Sequence, residues 1–378
     1  DFDGQRSVSQ WLNTIAAREI SVRDQADFAK KVLAFLSHLD EDEAGPDLHQ
    51  AAMRLGMPLK DLIVLSRNEN PYGPSPAVGA ALQDGLFHRY PDSRPFLEAL
   101  AGYTGFSPEW LVAGAGMDEI ISTICRIFLG PGDRALIPVP TYNFYALAAG
   151  LCGARPEYQM RAESFALEQD LPAGLKMVFL CSPNNPTGET LSEDSVRSVL
   201  AETDAIVFLD EAYIEFAGKS LVGLVREYQN LVVGRTLSKA FGLAGMRLGY
   251  AIAPPWIAEQ YRRVAPMFSI SSPSLVAGTA ALADLEWMKE CVRRIVSERE
   301  RMREKLPCAL PSQGNFLFLK TRHKSKALAE HPRCRGIIVR DCSSFHGCGE
   351  RCLRVTVGRR EENDSFLEAL EILDGKKD

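Results

Sequence analysis

Two hydrophobic periods alternate along the chain. Near the start, apolar residues recur every three to four positions. In "SVSQWLNTIAAREI", Val8, Trp11, Leu12 and Ile15 fall on one helical face, and in "ADFAKKVLAFLSHL", Phe28, Val32, Leu33 and Leu36 do the same. The acidic "DEDEAGP" at 40–46 then reads as a linker. These patterns predict a helical N-terminal extension over residues 1–43. Next, "LIVLSRNENPYGPSP" at 62–76 opens on a short apolar run and becomes an extended arm. Pro71, Pro74 and Pro76 exclude a helix there.

Further on, short apolar runs alternate with helical or loop segments. "WLVAGAG" leads into the amphipathic "MDEIISTICRIFL", and "RALIPVP", "MVFLCSP", "AIVFLDEAY" and "LVVGRTLS" are strand-like. Near-continuous apolar strands between helices predict a parallel sheet covered on both faces. Residues 284–306 read as one long helix, charged on one side. "NFLFLK", "GIIVRD" and "CLRVTVG" follow, then a helix over "EENDSFLEALEIL", which together predict a smaller α+β unit. The expected organisation is an extension (1–43), an arm contributing to the small domain (44–88), a large domain (89–280) and a small C-terminal domain (281–378).

Composition narrows the function class. The chain has 378 residues, 46% of them hydrophobic, enough for a sizeable core. Its net charge of −6 argues against a general nucleic-acid binder. No apolar stretch reaches the ~18 residues of a spanning helix, and no secretory leader pattern is visible. Nine scattered cysteines fit the reduced thiols of a cytoplasmic enzyme. Cys334, Cys342, Cys348 and Cys352 cluster with His346, but the spacing is irregular and lacks a C-x-x-C pair, so no metal site is expected.

Three apolar strands end in polar residues. "CSPNNPTG" at 181–188 is either a plain turn or a ligand-facing one at a strand's C-terminal edge. The next strand ends in Asp210, a carboxylate that needs a partner if buried. A protonated heteroaromatic nitrogen would serve, and Tyr213 offers a phenol nearby. The third leads through "RTLSK" to Lys239. Asn185, Asp210 and Lys239 are 25 and 29 residues apart, each about one strand–helix unit, so one sheet edge receives all three. Lys239, desolvated and near Arg247, should have a lowered pKa and act as a nucleophile that forms a Schiff base. Arg247, Thr236 and Ser238 suit a phosphate. A second anion cradle lies in "AGAGMDE", where Gly116 opens a helix whose first N–H groups face outward.

A Schiff-base lysine, an aspartate for a pyridinium nitrogen and two phosphate grips together describe pyridoxal 5′-phosphate. Here the chain resembles the fold-type I (class I/II) aminotransferases, and within them the histidinol-phosphate aminotransferases. "SRNENPYGPSP", "RYPD", "CSPNNPTG", "DEAYIEF", "RTLSKAFGLAGMRLGY" and "LRVTVG" carry the resemblance, from about Asp47 to the C-terminus. It implies a three-layer α/β fold, with a mostly parallel sheet in the large domain and a smaller α+β domain. It also implies a homodimer with shared active sites.

Residue by residue, the resemblance implies that Lys239 holds the cofactor and shuttles a proton, and that Asp210 keeps the pyridine nitrogen protonated. Asn185 and Tyr213 would bond the ring oxygen, and Tyr142 would stack on the ring. Gly116, Met117, Asp118, Thr236, Ser238 and Arg247 would form the phosphate site, with Tyr90 reaching the other subunit's phosphate. Asn70, Tyr72, Arg340 and Arg354 would meet the substrate, a phosphorylated amine or amino acid, with 2-oxoglutarate as the implied amine acceptor.

Threonine-phosphate decarboxylases share nearly every motif, which leaves decarboxylation as the alternative. A DNA-binding regulator would need a basic module, whereas residues 1–43 carry five basic and nine acidic side chains. Alternation in "CLRVTVG" puts Cys352, Arg354 and Thr356 on one face and Leu353, Val355 and Val357 on the other. The arginine therefore faces either water or the active site.

Overall fold

The computed structural model describes residues 47–83, 85, 87–161, 171–328 and 336–373. The extension expected over 1–43 lies outside them, as does Cys334. The remaining chain builds two sheets. The larger has seven strands: β2 (Leu111–Gly114), β3 (Arg134–Val139), β4 (Arg155–Met160), β5 (Met177–Cys181), β6 (Ile206–Asp210), β7 (Leu231–Thr236) and β8 (Gly249–Ile252). Their order is β2-β8-β7-β6-β5-β3-β4. Strand β8 runs antiparallel to both neighbours, while β3 to β7 are mutually parallel. This is the mostly parallel sheet of the fold-type I architecture.

Every residue of β5, β6 and β7 is buried, which is why these strands read as unbroken apolar runs. Strand β4 lies at the sheet's edge, and none of its residues is fully buried. Its polar "RPEYQM" gave no strand signal. Helices cover the sheet. Among them α2 (Met117–Phe128) buries Ile120, Ile121 and Ile124 completely, each contributing roughly 1.5–3 kcal/mol.

The second sheet has four strands in the order β1-β10-β11-β9: β1 (Ile63–Leu65), β9 (Phe316–Lys320), β10 (Ile337–Asp341) and β11 (Cys352–Thr356). Its first strand comes from the arm near the chain's start. The long α3 (Leu285–Lys305) packs against β9 and against α4 (Arg360–Leu373). One hydrophobic core joins both sheets, including Leu65, Phe208, Phe316 and Val355. On the small sheet, Cys342 and Cys352 pack with Phe318 and Phe345 in a separate apolar cluster.

One expectation about the arm is corrected. Pro76 does not exclude a helix; it begins one, α1 (Pro76–Gln83). At a helix's first position proline loses no hydrogen bond, because that N–H has no partner in the helix anyway.

Candidate active site

Strands β5, β6 and β7 lie side by side, with Cys181 beside Asp210 and Asp210 beside Gly234. Their C-terminal ends stop at one edge, where open α/β sheets bind ligands. The chain leaving β5 carries Asn185, β6 ends on Asp210, and the chain leaving β7 carries Lys239.

Asp210 is 3% exposed. Its Oδ2 accepts a hydrogen bond from the Tyr145 hydroxyl at 2.7 Å, and its Oδ1 accepts from the Ala212 N–H at 2.9 Å. Among the described residues no cation pairs with it. Burial raises its pKa from the ordinary 3.8 to about 6, and the Tyr145 and Ala212 donors oppose that rise. The carboxyl has room, electrostatically, for one positive partner.

Lys239 keeps some exposed surface, yet protein surrounds its amine closely. Burial lowers its pKa from 10.5 to about 8, the positive charge of Arg354 adds to this, and Glu69 opposes it. Arg247, expected to be the neighbouring like charge, contributes less than Arg354. The amine donates to the Arg67 carbonyl at 3.1 Å and lies 5.7 Å from the centre of the Tyr213 ring. Tyr213 is buried, which pushes its phenol up to about 12, so it stays protonated at working pH.

The expected anion-binding end is built from backbone. Gly116 precedes α2 with φ of +91°, and a Cβ there would sit 2.7 Å from Arg247 Nη2. A Cβ on Gly249 would fall 2.6 Å from the Met117 nitrogen. Bare main chain thus packs on bare main chain, and the first N–H groups of α2 point outward. The Thr236 hydroxyl accepts the Ser238 N–H at 3.1 Å. Arg247 rests on Asp118 Oδ2 at 3.2 Å, and the Tyr142 hydroxyl donates to Asp118 Oδ1 at 3.0 Å. The Asp118 side chain therefore orients the arginine and the tyrosine on either side of it.

The small sheet contributes two arginines. Arg340 and Arg354 are paired neighbours on β10 and β11, and both are buried. Arg354 donates to Asn185 Oδ1 and, at 2.7 Å, to the Ser66 carbonyl. Its face is therefore the cleft against the large sheet, not water. Arg340 lies 5.4 Å from the centre of the Phe345 ring and 3.4 Å from Ser344 Oγ.

Other expected residues are placed elsewhere or otherwise occupied. The Asn70 amide braces the arm, donating to the Ala240 carbonyl at 2.9 Å and accepting the Tyr72 N–H at 2.9 Å. The Tyr72 ring has Arg294 and Arg359 at 5.4 and 6.0 Å from its centre. Tyr90 is 82% exposed and stacks on Phe268 with centroids 4.6 Å apart. Two residues of the site were not anticipated. Tyr145 lies three residues after Tyr142, in the first turn of the helix Phe144–Leu151, and Asn68 sits in the arm and donates to the Tyr213 hydroxyl at 3.1 Å. Its place three residues after Tyr142 was the available signal for the first, and its place in "SRNENPYGPSP" for the second.

These groups fit pyridoxal phosphate. The outward N–H groups and Arg247 suit its phosphate, the uncompensated Asp210 its pyridine nitrogen, and a depressed lysine amine its aldehyde.

The aminotransferase class I and II family model matches residues 60–370. The chain is 42% identical over 346 residues to a histidinol-phosphate aminotransferase of Methanosarcina mazei, covering 88% of this chain and 94% of the relative. Its fold is similar to the crystal structure of the histidinol-phosphate aminotransferase from Clostridium acetobutylicum. That match has a TM-score of 0.78 and 25% identity, covering 84% of this chain and 100% of the other. It is also similar to the Sinorhizobium meliloti enzyme of that name in complex with pyridoxal-5′-phosphate. There the TM-score is 0.80 and the identity 24%, with 91% and 98% covered.

Proposed function

The chain belongs to the aminotransferase class I and II family, and from that premise we propose that it moves an amine between histidinol phosphate and 2-oxoglutarate. Pyridoxal phosphate, when bound, supplies an electron sink for the charge left on the substrate's Cα. The chain's own residues do the rest. Lys239, neutral at a lower pH than an ordinary lysine, is the nucleophile toward the cofactor and carries the proton to and from the substrate's Cα. Asp210 holds the proton on the pyridine nitrogen. Asn185 and Tyr213 direct an N–H and an O–H at the ring oxygen, and Tyr142 covers one face of the ring. Gly116 opens the phosphate site, where Met117 and Asp118 offer N–H groups and Thr236, Ser238 and Arg247 complete it. Arg340 and Arg354 take the substrate's phosphate or carboxylate, beside Asn70 and Tyr72.

The single observation that carries this reading is the meeting of two sets of groups. A buried, cation-free carboxylate and a depressed lysine stand on one sheet's edge, and a buried arginine of the other sheet reaches that edge through Asn185. The same reading makes the enzyme a homodimer. Tyr90, Met267 and Phe268 are exposed at 82%, 87% and 57%, and they form the surface that a second copy would cover, with Tyr90 entering its neighbour's site. It also places the enzyme in the cytoplasm. No helix among the described residues is long and apolar enough to cross a membrane.

The test is a panel of phosphorylated amines and amino acids, with and without 2-oxoglutarate, read by product mass. Histidinol phosphate should turn over only with the keto acid. Carbon dioxide released from a phosphorylated amino acid without a keto acid would replace this reading with the decarboxylase.

A further inference from the structure

Asn68 is 1% exposed and adopts φ of +54°, a left-handed conformation that costs most residues free energy but that asparagine tolerates. Its surroundings hold it there. Its N–H donates to Thr356 Oγ1 at 2.9 Å, and its carbonyl accepts from Asn315 Nδ2 at 2.9 Å. The Thr356 hydroxyl then donates to Asn68 Oδ1 at 3.1 Å, and Asn68 Nδ2 donates to the Tyr213 hydroxyl at 3.1 Å.

The directions of these bonds follow from satisfying every buried group. Thr356 is 2% exposed, so its hydroxyl proton needs an acceptor. Asn68 Oδ1 is the acceptor within reach. If the amide were turned over, Oδ1 would face Tyr213, and the Thr356 proton would meet an N–H instead. The threonine therefore sets the amide, and the amide presents a donor to the tyrosine. A phenol proton lies in the ring plane on one of two sides. With an N–H arriving on one side, the proton is directed to the other, and among the described residues no protein group accepts it.

We propose that Asn68, oriented by Thr356, is a positioning residue that fixes the Tyr213 hydroxyl as a donor to the bound cofactor. The inference rests on the reading of Tyr213 as a contact to the cofactor's ring oxygen. It adds that the arm and the small sheet decide which way that contact points. Without Asn68 the phenol could turn its proton toward the arm and present a lone pair to an oxygen that is itself electron-rich.

The test measures the dissociation constant of pyridoxal phosphate from apoprotein by quenching of protein fluorescence, in two backgrounds. Asn68→Asp keeps the shape but replaces the donor by an acceptor, so the Tyr213 proton turns back. It should weaken cofactor binding about tenfold or more, corresponding to about 1.4 kcal/mol. In Tyr213→Phe, which has no proton to direct, Asn68→Asp should add little. Equal losses in both backgrounds, or no loss in either, overturn the proposal. Thr356→Val frees the amide to turn over, and it should give a smaller loss that also vanishes in Tyr213→Phe. If Asn68→Asp fails to fold, as judged by circular dichroism, this second pair decides. If Tyr213→Phe alone leaves the constant unchanged, Tyr213 is not a cofactor contact, and both the site reading and this inference fall. That outcome is distinct from a failure of Asn68 alone.

Discussion

Asp210 and Glu211 are consecutive and almost fully buried, at 3% and 1% exposure, yet their partners are entirely different. Asp210 ends β6, and Glu211, the next residue, continues the pairing with its N–H on the Gly234 carbonyl at 2.8 Å, so the two side chains point to opposite faces. Glu211 accepts from the Arg235 guanidinium at 2.8 and 3.0 Å, from the Ser220 hydroxyl at 2.7 Å and from the Leu221 N–H at 2.8 Å. Among the described residues Asp210 accepts only from a phenol and an amide. The first carboxylate is fully neutralised by its own chain. The second carries a pKa raised to about 6 and awaits a positive charge from outside. Both acids are buried, and among the described residues Glu211 has a cation beside it and Asp210 does not, which is the ground for proposing Asp210 as the functional one.

That contrast can be broken in three ways. The largest expected effect is on Glu211. Glu211→Gln leaves Arg235 buried without its countercharge and should cost about 3–5 kcal/mol of stability, measured by denaturant unfolding. Turnover per folded molecule should stay near normal. A large loss of kcat with unchanged stability would show that Glu211 belongs to the site. Next is Asp210→Asn, expected to lower kcat by about 10²–10³ with little loss of stability, since it removes charge stabilisation and not packing. Near-normal turnover in this variant would remove Asp210 from the mechanism.

The smallest effect is a pH dependence. The folded apoprotein binds the Asp210 proton more tightly than the unfolded chain, about 6 against 3.8. Its stability should therefore fall as pH rises from about 4 to about 6, by at most about 3 kcal/mol. Asp210→Asn should lack this component. Tyr145→Phe removes the donor on Oδ2, costs about 1 kcal/mol, and should carry the fall to higher pH. An unshifted window in Tyr145→Phe would mean that the phenol does not hold the carboxylate.

Much of the large sheet was legible because burial on both faces leaves unbroken apolar runs, and a polar residue ending such a run stands out. Asp210 and Lys239 were found in that way. Strand β4 was not, because at the sheet's edge its faces are only partly covered, so it carries polar residues and loses the apolar signature. Period-two alternation put Arg354 on a face of its own but could not say what lay opposite. The Asn185 contact answers that, and it pairs residues 169 positions apart. Asn68 and Thr356 are farther apart still, at 288 positions. Such long-range hydrogen bonds leave no local period, so the residues that orient the site were harder to see than the residues that form it.

The glycine pair at positions 116 and 249 has a consequence for how this protein can change over generations. The proposed grip on an anion at the head of α2 is made of main-chain N–H groups, which every residue except proline supplies. Drift can therefore pass through position 117, where this chain carries methionine, subject to packing and short of proline, whose nitrogen bears no hydrogen. Neither glycine is as free: position 116 holds φ of +91°, which L side chains rarely adopt, and a methyl at position 249 would collide with the Gly116 and Met117 main chain. What lineages hand down at this corner is an absence of side chain, and mutational scanning should find it the least negotiable spot on the sheet's rim.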